Sequence, residues 1–101
     1  NEDSILISRT LLNKSKTILK LSLEYETNNN LDLSIENAKP PIFWKEKEIT
    51  KQQIQKWNSK ELKKLIFNLN EVELSIKKNI NNSLKIITDF LIETSSLEIN
   101  N

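Results

Sequence analysis

The stretch from Glu61 to Lys78, ELKKLIFNLNEVELSIKK, carries the clearest helical pattern in the chain. Its apolar residues recur three and four positions apart, which is the spacing of one face of an α-helix. They are Leu62, Leu65, Ile66, Leu69, Val72 and Ile76. Asn58 or Ser59 is a good N-cap residue, and Glu61 places an acidic side chain in the first turn. The pattern predicts an amphipathic helix over residues 60–78.

Two helices are predicted before the first proline. Residues 4–26 have helical spacing, and the run TNNN at 27–30 ends this helix, because Asn suits a left-handed C-cap when no Gly is present. Residues 31–38 predict one or two helical turns. The apolar stripe expected for the long helix is Ile5, Leu12, Leu19 and Leu23, with Ile7, Leu11, Ile18 and Tyr25 beside it.

Two more helices are predicted, one between the prolines and the stretch Glu61–Lys78 and one after that stretch. Pro41 suits the first turn of a helix that continues to Trp57, with a candidate break near Glu48–Thr50 and Thr50 as a cap. A loop at 79–83 precedes a last helix at 84–95. The expected buried residues are Ile42, Ile49, Ile54 and Trp57 in the former, and Leu84, Ile87 and Leu91 in the latter, with Ile86 and Phe90 alongside.

These helices predict an all-α fold class: a small helical bundle of four main helices plus one short helix, forming a single domain over residues 1–101. The chain has 101 residues and begins Asn-Glu-Asp without Met, so we expect it to belong to a longer protein. No apolar run is long enough for a membrane span.

The composition argues against an independent enzyme. The chain has no His, Cys or Gly, which removes the usual general base, the thiolate ligands of metals and the glycine-rich phosphate loops. We therefore expect no catalytic residue, no cofactor and no metal. Glu46 with Glu48, and Glu71 with Glu73, are spaced two apart, so neither pair converges on one face of a helix.

The segment from Lys39 to Trp57, KPPIFWKEKEITKQQIQKW, holds both prolines and both tryptophans of the chain. Basic residues beside Phe43, Trp44 and Trp57 would suit backbone contacts and base stacking in a nucleic acid. Interleaved Glu residues and a net charge of +1 favour packing instead. We expect Phe43 and Trp44 to anchor the start of a helix and Trp57 to be core, with Trp44 either core or interface.

Glu73 and Lys77 form the one charged pair beside the apolar stripe of the opening stretch. They are four residues apart, which is the spacing of a salt bridge within a helix. The alternative is that they contact a neighbouring subunit.

Read together, three segments carry a resemblance to a known family. They are the Pro-Pro-aromatic segment Lys39–Trp44, the helix start Trp57–Leu62, and the leucine-rich helix from Leu69 to Lys77 with Glu71 and Glu73. This pattern resembles the C-terminal domain of the delta subunit of bacterial DNA polymerase III, part of the sliding-clamp loader. The residues that carry the resemblance are Pro40, Pro41, Phe43, Trp44, Trp57, Leu62, Leu65, Glu73 and Lys77. The stretch KEKEI departs from the Arg-richer pattern of many relatives.

The resemblance implies a cytoplasmic helical collar domain of a DNA polymerase III subunit that acts in DNA replication. Its partners would be other clamp-loader subunits, while an AAA+-like N-terminal region outside this sequence would bind the sliding clamp. DNA would be bound only by the assembled complex, which belongs to a DNA-directed DNA polymerase holoenzyme. Two alternatives remain open: a helical nucleic-acid-binding module that uses residues 39–57, and a helical protein-interaction domain unrelated to replication.

Overall fold

The computed structural model describes the backbone of residues 2–100 and the side chains of residues 3–94. It is 87% helical and contains no strand in that range, so the prediction of a small all-α bundle is confirmed. Four helices are long and one is short, as expected. They are α1 (Glu2–Asn28), α2 (Leu31–Glu36), α3 (Lys47–Lys56), α4 (Ser59–Lys78) and α5 (Ser83–Asn100).

The ends of these helices follow local side-chain chemistry. Asn29 has φ 54° directly after α1, which is the left-handed conformation that Asn tolerates. The side chain of Asn30 then caps α2 by accepting a hydrogen bond from the backbone N–H of Leu33 at 3.0 Å. At α4, Asn58 Oδ1 accepts from the N–H of Glu61 at 2.8 Å, and Glu61 Oε1 accepts from the N–H of Asn58 at 3.1 Å. This reciprocal pair is a capping box and confirms the predicted start of the helix.

The described contacts divide the chain into two compact units, of which Lys14–Ile66 is one. Its core joins buried apolar side chains from α1, α2, α3 and α4 and from the segment after α2. They are Ile18, Leu21, Ile35, Ala38, Ile54 and Leu62. Half-buried apolar residues pack around this core: Leu19, Tyr25, Leu31, Ile42 and Trp57. The expected packing of Trp57 against the core is therefore found.

The other unit comprises Asn1–Asn13 and Phe67–Asn101. Its buried apolar residues are Leu12 of α1, Leu69 and Ile76 of α4, and Ile87 of α5. The apolar stripe predicted along α4 is confirmed, because Leu62, Leu69 and Ile76 are buried at intervals of seven residues.

The buried face of α1 differs from the predicted stripe. A row of small hydroxyl side chains forms its centre: Ser4, Ser8, Ser15 and Ser22 are all buried. The two predicted rows of apolar residues flank this serine row. Leu12 and Ile18 are buried as expected, but Ile5 and Leu19 are only half-buried and Leu23 is exposed. Hydropathy misplaced the stripe because it counts serine as a surface residue, although its small volume suits close helix packing.

The buried face of α5 was also predicted incorrectly at two of three positions. Ile87 is buried as expected, but Leu84 is 65% exposed and Leu91 is exposed. The buried position in the first turn is Ser83, and Ile86 and Phe90 are half-buried. The inward side of the helix is therefore the one that carries Ser83, Ile86, Ile87 and Phe90. Leu84 and Leu91 lie about 100° around the helix axis from it.

The segment 39–57 is less helical at its start than predicted. Residues before Trp44 are not helical, a 3₁₀ turn covers Trp44–Glu46, and α3 begins at Lys47. Thr50 is buried within α3 and does not cap a helix. Ile49, expected to be buried, is exposed, so the inward face of this segment is formed by Ile42 and Ile54.

Candidate protein-interaction surfaces

Phe43 and Trp44 are exposed, which corrects the expectation that they anchor the start of a helix and excludes the core as the place of Trp44. Phe43 is 57% exposed and Trp44 is 69% exposed. Their ring centroids are 6.1 Å apart with an interplanar angle of 42°. The ammonium of Lys45 lies 5.5 Å from the centroid of the Trp44 ring, which is a cation–π distance. We call Phe43, Trp44 and Lys45 the aromatic patch.

The backbone explains why the Phe43 ring points into solvent. Phe43 is extended, with φ −62° and ψ 135°, and Ile42 packs against the core. In this polyproline-II-like conformation consecutive side chains lie about 120° apart around the chain axis, so Ile42 can face the core while Phe43 points away from it. Pro40, which follows a cis peptide bond, is also exposed. The prolines and the patch are therefore a surface feature.

Two of the lysines in this segment are balanced by carboxylates. Lys47 Nζ lies 3.1 Å from Glu36 Oε1, and Lys51 Nζ lies 2.6 Å from Asp32 Oδ1. The hydrogen bond that the Lys51 ammonium donates to Asp32 raises the pKa of Lys51 above its usual value, against a smaller opposing effect of desolvation. The excess of lysine in residues 39–58 therefore does not produce an equally strong positive surface.

An open groove of about 570 Å³ lies beside the second half of α1. Its apolar walls include Leu21, Leu23, Ala38 and Pro40, and Lys20 and Lys39 line it as well. The ammonium of Lys20 donates to the backbone carbonyl of Lys39 at 3.5 Å. The groove has the size of a site for a small ligand or for one or two peptide side chains.

Glu73 is the most enclosed charged group in the described ion pairs. Its side chain is 17% exposed, and its Oε1 accepts a hydrogen bond from Arg9 Nε at 2.7 Å. The predicted pair with Lys77 is present at 4.0 Å between Oε2 and Nζ. Sequence reasoning missed Arg9, the single arginine of the chain, because nothing in the spacing links residues 9 and 73. The pair ties α1 to α4 within one unit.

Leu62 and Leu65, the remaining residues that carry the family resemblance, contribute to packing. Leu62 is buried in the core, and Leu65 is half-buried. The sequence pattern thus combines core leucines, one enclosed ion pair and an exposed aromatic segment.

The outer face of α5 is a second apolar surface that sequence reasoning did not identify. Leu84, Leu91 and Ile92 are exposed on it, with Ile92 at 63%. We call these three residues the α5 face. A polar row separates it from the buried side on one edge, where Lys85 Nζ lies 2.8 Å from Asp89 Oδ2. This hydrogen bond raises the pKa of Lys85.

The described residues contain neither a cluster of metal ligands nor a membrane-spanning helix. Among the described residues, no three carboxylates come together as a metal site would require. In the same part of the chain, none of the helices combines the length and apolar composition needed to cross a bilayer.

Comparison with known proteins adds no family. No protein-family model, no curated protein and no solved structure matches this chain. The family suggested by the sequence pattern therefore stays a prediction.

Proposed function

We propose that this chain is an assembly domain, and specifically the C-terminal collar domain of a delta subunit of the bacterial clamp loader. In this role it would bind the helical collar domains of other loader subunits in the cytoplasm and take part in placing the sliding clamp on DNA. The resemblance in the segments 39–44, 57–62 and 69–77 supports the specific family. The all-α fold is the architecture that such a domain requires.

The α5 face is the observation that carries the role in assembly. A helix that is apolar on two sides normally buries both of them. Over the residues of α5 whose side chains are described, 83–94, the side of Ile87 is buried and the side of Leu84 and Ile92 is exposed. Leu84 and Ile92 are 65% and 63% exposed, so most of their apolar surface is available to a partner. Full burial of a Leu or Ile side chain is worth about 1.5–3 kcal/mol. Two such residues at the centre of an interface would contribute substantially to binding.

Co-elution of this chain with the collar domains of the other loader subunits tests the proposal. The chain is expected to form a complex on size exclusion at tens of micromolar, and Leu84→Glu combined with Ile92→Glu is expected to abolish it. The control is Asn68→Glu, which adds one such charge at an exposed position of α4 and is matched to Leu84→Glu or Ile92→Glu alone. Circular dichroism of each variant verifies that the helices are retained.

Failure to form any complex with the loader subunits would reject the clamp-loader assignment. Equal loss of binding in the Asn68→Glu control would reject the role of the α5 face. A complex with helical proteins outside the clamp loader, lost on changing the α5 face, would instead support a protein-interaction domain unrelated to replication.

Nucleic-acid binding is the second candidate function, and the exposed aromatic patch favours it. Trp44 and Phe43 present ring surface on which bases could stack. The ion pairs of Lys47 and Lys51 count against it, because they reduce the charge available to phosphates. Titration with single-stranded oligo(dT) at two salt concentrations distinguishes the functions. A nucleic-acid module requires quenching of Trp44 fluorescence that weakens as salt rises.

A further inference from the structure

The aromatic patch and the groove beside α1 are close neighbours. Pro40 lines the groove, and Phe43 begins the patch three residues later. Three residues of extended chain span at most about 11 Å. A single ligand of four or five extended residues could therefore contact both features, and both lie within the unit Lys14–Ile66.

The charges around these two features suit a carboxylate. Lys39 lines the groove, and Lys45 lies over the Trp44 ring. Neither ammonium belongs to an ion pair among the described residues, in contrast to Lys47 and Lys51 of the same segment. Glu24 of the groove and Glu46 beside the patch are the nearby acidic residues in sequence, so the local excess of positive charge is small.

This charge count favours a peptide over a nucleic acid. An oligonucleotide brings one negative charge per nucleotide, and its binding depends on several basic groups acting together. Here three ammonium groups flank the apolar surface, those of Lys20, Lys39 and Lys45, and that of Lys20 already donates to the carbonyl of Lys39. The next two lysines would have to break ion pairs with Glu36 and Asp32. One or two carboxylates match this arrangement. Exposed Trp residues are also frequent anchors of protein interfaces.

We propose that the groove and the aromatic patch together bind an extended peptide segment of a protein partner, with an acidic residue between two apolar side chains. One apolar side chain enters the groove beside Leu23, and the other packs on Phe43 and Trp44. The carboxylate lies between Lys39 and Lys45. This surface is distinct from the α5 face and does not depend on the clamp-loader assignment.

Selection from a phage-displayed random peptide library tests the proposal with a defined probe. The chain is the target, and the Trp44→Ala variant serves for counter-selection. Enriched peptides are expected to contain Asp or Glu flanked by aromatic or aliphatic residues. Synthetic peptides from the selection are then measured by fluorescence anisotropy, where Trp44→Ala is expected to weaken binding about 30-fold, as for an interface hot spot.

Further variants assign the parts of the site. Leu23→Asn in the groove and the double change Lys39→Glu with Lys45→Glu are each expected to weaken binding at least about tenfold. The Ile92→Glu variant of the α5 face is expected to bind the peptide normally, which separates this proposal from the proposed function. Trp44→Phe, which keeps an aromatic ring, is expected to retain most of the affinity.

Several results would overturn the proposal. It is wrong if no peptide is enriched over the Trp44→Ala counter-selection, or if the enriched peptides lack acidic residues. It is also wrong if Leu23→Asn and the double lysine variant bind the peptides as tightly as the unchanged chain. Tighter, Trp44-dependent binding of oligo(dT) than of any selected peptide would assign the patch to nucleic acid.

Discussion

The two tryptophans occupy contrasting environments, so replacing each with alanine should lower the free energy of unfolding by different amounts. Trp57 packs against the core of its unit and buries most of its side chain. A large aromatic side chain presents roughly 150–250 Å², and burial is worth about 25 cal/mol per Å². After allowing for the area that alanine keeps, we expect Trp57→Ala to lower the free energy of unfolding by about 3 kcal/mol.

Trp44 provides the matched comparison because the substitution is chemically identical. Its side chain is 69% exposed, so it buries less than a third of the same area. Its contacts are the Phe43 ring and the Lys45 ammonium, and exposed cation–π pairs contribute about 0.5–1 kcal/mol. We expect Trp44→Ala to cost about 1 kcal/mol or less.

Urea unfolding followed by far-ultraviolet circular dichroism measures both costs on the same scale. The Trp44→Ala variant also retains Trp57, whose fluorescence reports unfolding independently because this side chain packs against the core. Equal losses for the two variants would refute the assignment of Trp57 to the core and Trp44 to the surface. A loss below about 0.5 kcal/mol for Trp57→Ala would show that Trp57 does not contribute the packing energy of a core residue.

Three further perturbations probe the cap and the ion pairs. Asn58→Ala removes the capping hydrogen bond and should cost about 1 kcal/mol in urea unfolding, whereas Asn58→Asp should retain most of the stability. Glu73→Gln should cost about 1 kcal/mol, and a double-mutant cycle with Arg9→Ala should show coupling, since the carboxylate is enclosed but Arg9 is exposed. The pKa of Lys51 is raised above 10.5 in the folded chain, so its pair with Asp32 stabilises fully below pH 10.5 and is lost as pH rises through the folded-state pKa. The stability difference between the chain and Asp32→Asn, followed by urea unfolding across this range, should therefore be constant up to pH 10.5 and shrink above it.

The sequence predicted the elements whose signals are local. The apolar spacing of α4 predicted its buried residues, because Leu62, Leu69 and Ile76 are large and unambiguous. Asn29 and Asn58 marked a helix end and a helix start, because capping depends only on side chains within a few residues. The ion pair of Glu73 with Lys77 was found for the same reason.

The sequence pattern could not predict which of two apolar faces is buried, or which residues distant in sequence come into contact. The last helix carries apolar residues on two sides, so the position of Leu84 could not be decided without its tertiary neighbours. Phe43 and Trp44 were expected to anchor the start of a helix, with Trp44 either core or interface, yet both are exposed, and the extended backbone beside Ile42 turns Phe43 outward. The contact of Arg9 with Glu73 is between residues distant in sequence, which no local rule anticipates.

The buried serine row of α1 marks positions where one face of that helix has room only for small side chains. Ser8 Oγ is buried and has no hydrogen-bond partner among the described residues, so the value of this side chain lies in its small volume. Alanine fits the same space, whereas leucine would force the packed helices apart. A substitution score based on hydropathy would therefore favour the wrong replacement at these positions. Leucine appears to complete an apolar stripe, yet it would disturb the packing more than alanine.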